Sequence, residues 1–77
     1  MLKNTMTIFC TVKFINLSGG FWGIIDVENN KWFPVNLPED LKKEGLALKL
    51  KVKKENDYFS IYMWGTPIEI MEFEIIS

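Results

Sequence analysis

The stretch Gly19–Leu41, GGFWGIIDVENNKWFPVNLPEDL, contains a strand, a turn, a second strand and the start of a helical segment. Side chains of a strand alternate between its two faces. In FWGIIDVE (21–28), Phe21, Gly23, Ile25 and Val27 therefore share one face. Trp22, Ile24, Asp26 and Glu28 share the other. In WFPVNL (32–37), Phe33, Val35 and Leu37 lie opposite Trp32, Pro34 and Asn36. A two-residue turn at Asn29-Asn30 would put Val27 on the face of Trp32. A three-residue loop, Asn29 to Lys31, pairs Val27 with Phe33 and Ile25 with Val35. A slip of one residue flips every side chain, so the three-residue loop is the expected register. It places Phe21 and Phe33 in the core and turns Trp22, Ile24 and Trp32 outward. Pro34 has no N–H to donate and belongs at an edge, a bulge or a position facing no partner strand.

Outward from this stretch the chain reads as strands. TIFCTVKFIN (7–16) alternates with Ile8, Cys10, Val12 and Phe14 inward. LSGG (17–20) supplies turn residues. NLPEDLKKEGL (36–46) is the helix-like piece: Asn36 and Glu39 have capping-box spacing and Gly45 suits a C-terminal cap. It makes a short plug of one or two turns. LALKLKVKK (46–54) alternates strictly, with Leu46, Leu48, Leu50 and Val52 in and Lys49, Lys51 and Lys53 out. DYFSIYMW (57–64) follows with Phe59, Ile61 and Met63 in and Tyr58, Ser60, Tyr62 and Trp64 out. A turn at Glu55-Asn56 would pair Val52 with Phe59 and Leu50 with Ile61. The tail IEIMEFEIIS (68–77) is strand-like, but its parity breaks, and a bulge near Met71 restores it.

The order strand-strand-strand-short helix-strand-strand predicts an all-β fold, a small five-stranded OB-fold-like barrel with a strand-like C-terminal tail. Closure removes the sheet edges that so short a chain cannot otherwise cover. An SH3-like barrel is the competitor, and the central helix position disfavours it. The 77 residues suffice for one domain, 1–77, with a small core. GGFWGI, P-x-NLPEDLKKEGL from Pro34 and YMWGTPIEI resemble small, uncharacterised prokaryotic OB-fold-like proteins. The resemblance spans about Val12 to Ile70. Its motifs are a turn, a capped helix start and a strand end, so it implies a fold and no activity.

Composition narrows the function. The net charge is −1, and all nine basic residues are lysine, so neither a strong field nor arginine recruits nucleic acid. No histidine is present, which removes the commonest general base and metal ligand. Cys10 falls at an inward position with no base nearby in sequence and reads as a small buried hydrophobe. Asp26 and Glu28 share a strand face, which reads as a solvated acidic face rather than an acid–base pair. No catalytic residue, metal site or cofactor is expected. No stretch approaches the roughly 20 apolar residues of a membrane span, and the N-terminus is too polar for a secretory signal. A cytoplasmic, non-enzymatic module is expected.

The outward aromatics are the candidate site. Trp22, Ile24 and Trp32 would lie on the face where OB-folds bind oligonucleotides or oligosaccharides. Tyr58, Tyr62 and Trp64 would extend it if strands three and five are neighbours, and Lys49, Lys51 and Lys53 would flank it. Stacking rings beside lysines suit a single strand. The same residues also suit an association surface, because Trp22, Ile24 and Trp32 with Ile75 and Ile76 exceed the apolar patch of an ordinary monomer. A third reading is structural, with the aromatics covered by the tail and the lysines neutralised by its Glu69, Glu72 and Glu74. The expectation adopted is a protein partner or a homo-oligomer, with single-stranded nucleic acid or a glycan as the alternative.

Overall fold

A computed structural model describes residues 5–55 and 64–77. Five strands form a closed barrel: β1 (Thr5–Ile15), β2 (Phe21–Asp26), β3 (Lys31–Pro34), β4 (Ala47–Lys54) and β5 (Thr66–Ile75). Their order around the barrel is β1-β2-β3-β5-β4. β3 and β5 run parallel, and the other neighbours run antiparallel. The fold is the expected all-β, OB-fold-like barrel.

β1 holds the barrel together. It pairs with β4 from Thr5 to Thr11 and with β2 from Cys10 to Ile15. Its inward residues Ile8, Cys10 and Val12 are buried with Leu48, Leu50 and Val52 of β4. The alternation of leucine and lysine in β4 produces this arrangement, with apolar side chains inside and Lys49 and Lys51 exposed. Phe14 departs from its expected inward place. It is half exposed and packs edge-on against Trp22 with ring centroids 5.1 Å apart. That ring also requires Gly20, where a Cβ would stand 2.4 Å from Phe14 and where φ is +95°.

Among the described residues the fifth strand is formed by the tail, Thr66–Ile75. β4 gives one edge to β1 and the other to β5, with Val52 opposite Ile70 and Leu50 opposite Phe73. The expected partners Phe59 and Ile61, and with them the expected hairpin, lie outside the described residues. The tail has the bulge that its parity requires. The β4–β5 register shifts between Val52↔Ile70 and Lys51↔Glu72, so Met71 is the extra residue.

The helical piece is shorter than its sequence suggests. It is a single 3₁₀ turn, Glu39–Leu41, that follows Pro38 with no side-chain cap. Asn36 cannot complete a capping box because its amide is engaged elsewhere. Its Oδ1 accepts from the Ile70 N–H at 2.8 Å and its Nδ2 donates to the Ile70 carbonyl at 3.1 Å. Asn36 thus prolongs the β3–β5 pairing by one residue with a side chain in place of backbone. The turn still acts as a plug, with Leu41 fully buried in the core.

Candidate interaction surfaces

The β2–β3 hairpin turns two residues earlier than expected. The ladder pairs Ile25 with Lys31 and Ile24 with Trp32, and the loop is Val27–Asn29. Asn29 adopts φ +70°, the left-handed conformation that asparagine tolerates in such loops. Asp26 sets this turn. Its Oδ1 accepts from the backbone N–H groups of Glu28 at 2.9 Å and Asn30 at 2.8 Å. Its Oδ2 accepts from Asn30 Nδ2 at 3.1 Å and from the Trp32 indole at 2.8 Å. Partial burial pushes the Asp26 carboxyl up, but these bonds outweigh it and hold the pKa below the ordinary value. Asp26 is therefore a turn-organising residue rather than part of a free acidic face.

The earlier turn preserves which residues share a face but not which face is inside. Pairing with β1 decides that. Val12 lies opposite Ile24 and Cys10 opposite Asp26, so Trp22, Ile24 and Trp32 stand on the core side. Ile24 is 0% exposed, and Trp22 and Trp32 are partly buried against the core. The expected outward surface of Trp22, Ile24 and Trp32 is not formed. Sequence alternation could not reveal this, because both faces of β2 and β3 are apolar.

The other face is covered as well. Phe21 and Phe33 are buried, as expected, but on the outside of the barrel. Their rings are 5.6 Å apart and meet edge to face. Trp64 closes over them, 5.6 Å from the Phe21 ring. A Cβ on Gly23 would stand 2.4 Å from the Trp64 ring, so Gly23 makes the seat for that indole. The Lys31 ammonium lies 5.9 Å from the Trp64 ring centroid. Trp64 does not extend the face of Trp22, Ile24 and Trp32 but lies on the opposite one, as a lid on this second apolar cluster. Tyr58 and Tyr62 lie outside the described residues.

Pro34 opens a cleft between these strands. Asp26 donates to the Asn30 carbonyl at 3.0 Å, so that pair is hydrogen-bonded. By the antiparallel alternation Ile24–Trp32 is too, and Trp22–Pro34 would be next. Pro34 has no N–H to give, and the ladder stops at Trp32. The strands then diverge around a cleft of about 350 Å³ whose lining includes Phe21, Trp22, Phe33 and Lys42.

The lysines of β4 lie elsewhere. β4 is separated from β2 by β1 and from β3 by β5, so Lys49, Lys51 and Lys53 do not flank the tryptophans. They face the tail instead, with Lys49 opposite Glu74, Lys51 opposite Glu72 and Lys53 opposite Glu69. Lys53 and Glu69 approach to 3.7 Å.

The far end of β5 carries the densest run of exposed large apolar residues among those described. Residues 71–77 are all exposed, and four of them, Met71, Phe73, Ile75 and Ile76, are large and apolar. Phe73 is 49% and Ile75 53% exposed, although each lies opposite a fully buried leucine of β4. The tail overhangs there, beyond the last pairing of β5 with β3 at Ile68. Cys10 is buried, and burial followed by the nearby Asp26 charge pushes its thiol up to about 12. Comparison with protein-family models, curated proteins and solved structures returns no match.

Proposed function

We propose that the barrel is a non-enzymatic interaction module that binds a protein partner, or itself, through the exposed end of β5. The observation that carries this reading is the run of Met71, Phe73, Ile75 and Ile76, all about half exposed on one short segment. Contiguous apolar exposure of this kind marks a contact site rather than ordinary surface. The non-enzymatic part is supported by the groups nearest to chemistry. Cys10 is buried as a thiol, and the Asp26 carboxylate is saturated with donors. A reduced, buried cysteine fits a cytoplasmic protein. Panning a displayed random-peptide library on the barrel tests the reading, with sedimentation velocity for self-association. Replacing both Phe73 and Ile75 with serine should abolish whichever is found. A native chain that enriches no peptide and stays monomeric would overturn the reading.

A second reading rests on the cleft between β2 and β3. Its Phe21, Trp22 and Phe33 lining and Lys42 occupy the face that OB-type barrels use for single strands and oligosaccharides. Fluorescence anisotropy with labelled mixed-sequence single-stranded DNA at low and moderate salt distinguishes it. Salt-sensitive binding that is lost in Lys42→Ala favours the cleft, and absence of binding removes the nucleic-acid form of this reading.

A further inference from the structure

We infer that the free edge of β5 accepts one extended strand in which apolar residues alternate with lysines. This inference rests on the association reading above and names the partner's chemistry. Several other stretches of exposed backbone in this barrel are capped. Asn36 takes both backbone groups of Ile70, Glu44 accepts from the Phe14 N–H at 2.7 Å, and Val12 exchanges bonds with Gly45 and Leu46. No such cap is found beyond the bulge among the described residues. The Ile76 N–H donates to the Ala47 carbonyl at 2.9 Å, so Ile76 faces β4. By alternation the backbone groups of Ile75 and Phe73 point the opposite way, where no described residue bonds them. They offer two N–H groups and two carbonyls in a row, the template for adding a strand.

The side chains state what that strand should carry. Phe73 and Ile75 lie on the core face, opposite Leu50 and Leu48. Glu72 and Glu74 lie on the outer face, opposite Lys51 and Lys49. An incoming strand would set apolar side chains beside Phe73 and Ile75 and the intervening residues beside the two glutamates. Lysine at those intervening positions would give each glutamate a cation on both sides. A second copy of β5 fits poorly. Antiparallel pairing of Phe73 with its counterpart puts Glu72 beside Glu74 of the other copy. Pairing Phe73 with Ile75 sets Glu74 against Glu74. Like charges directly opposite destabilise a sheet.

The test uses the whole chain and two capped seven-residue peptides, one alternating valine with lysine and one alternating valine with glutamate. Anisotropy of the labelled peptides measures affinity, and amide hydrogen exchange by NMR locates the contact. The lysine peptide should bind at least tenfold more tightly than the glutamate peptide and slow exchange at the Phe73 and Ile75 amides. Glu72→Lys with Glu74→Lys should reverse that preference. Ile75→Pro removes an N–H that points away from β4 and should weaken binding at least tenfold. The charge-reversed variant carries the test if Ile75→Pro fails to fold. Equal binding of both peptides, a preference unchanged by charge reversal, or binding without slowed exchange at Phe73 and Ile75 would overturn the inference. Library peptides that need Phe73 and Ile75 but lack the alternation would overturn it too, while leaving the association reading intact.

Discussion

The β2–β3 hairpin and the far end of β5 have similar sequences and opposite fates. Both pack large apolar residues at nearly every position, FWGII in one and IMEFEII in the other. In the hairpin one face rests on the core and the other lies under Trp64. In the tail the face opposite Leu48 and Leu50 stays half open, and one backbone edge has no neighbouring strand among the described residues. The difference lies in what covers each segment. A strand with two apolar faces signals a second covering element, and a strand whose apolar face overhangs its sheet signals a contact still to be made.

The largest effect that would test this contrast is at Ile24. Its side chain is fully buried in the core, so Ile24→Ala should destabilise the fold by about 3 kcal/mol, the usual cost of a buried aliphatic truncation. Ile24→Val should cost about 1 kcal/mol. Urea denaturation followed by circular dichroism measures both. A loss near zero would return Ile24 to the surface and with it the outward tryptophan face.

Next is the indole bond that ties the hairpin to its turn. Trp32→Phe keeps the ring but removes the donor to the Asp26 carboxylate, at a cost of about 1.5–3 kcal/mol for a bond to a charged group. The same carboxylate sets a pH dependence. Its folded pKa lies below the ordinary aspartate value, so its contribution is fully present above about pH 4 and is lost as pH falls through the folded value. In a series of urea midpoints from pH 6 to pH 2, Asp26→Asn should flatten the acid limb. An unchanged limb would mean that other carboxylates control it.

The lid comes third. Gly23→Ala drives a methyl group into the Trp64 ring, and the indole must move off Phe21. Its tryptophan emission should shift to the red, with a loss of about 1 kcal/mol, in the lower part of the range for overpacking. Unchanged emission would show that the second cluster does not depend on that seat.

These outcomes follow the line between what sequence could and could not specify. β1 and β4 were legible because one face of each is apolar and the other carries threonines or lysines, so alternation had a single solution. The bulge at Met71 was legible because the parity of the tail breaks there. The inner face of the hairpin was not legible. Choosing between Trp22-Ile24 and Phe21-Ile25 needs the pairing of Ile24 with Val12, which lies twelve residues away in sequence. The fifth strand was ambiguous for a related reason. Residues 57–63 and the tail both alternate in sequence, and the pairing of the tail with β4 shows only once the long-range register is known. Asn36 resembled a cap because it precedes Pro38 and Glu39, and its bonds to Ile70 reach a residue 34 positions further along the chain.

The smallest expected effect is the most discriminating. Phe73 is already about half exposed, so Phe73→Ser forfeits only part of the burial a core phenylalanine would lose, about 1 kcal/mol or less. Its effect on association should be far larger than its effect on folding. If Phe73→Ser instead costs as much as Ile24→Ala, the end of β5 is covered in solution as fully as the hairpin. Cover by another copy is then the case to test, because the tail's described neighbours leave it open. In that case the midpoint of unfolding should rise with protein concentration, as it does when folding and assembly are linked. A small, concentration-independent loss keeps β5 as an open strand and separates the residues that build the barrel from those that meet its partner.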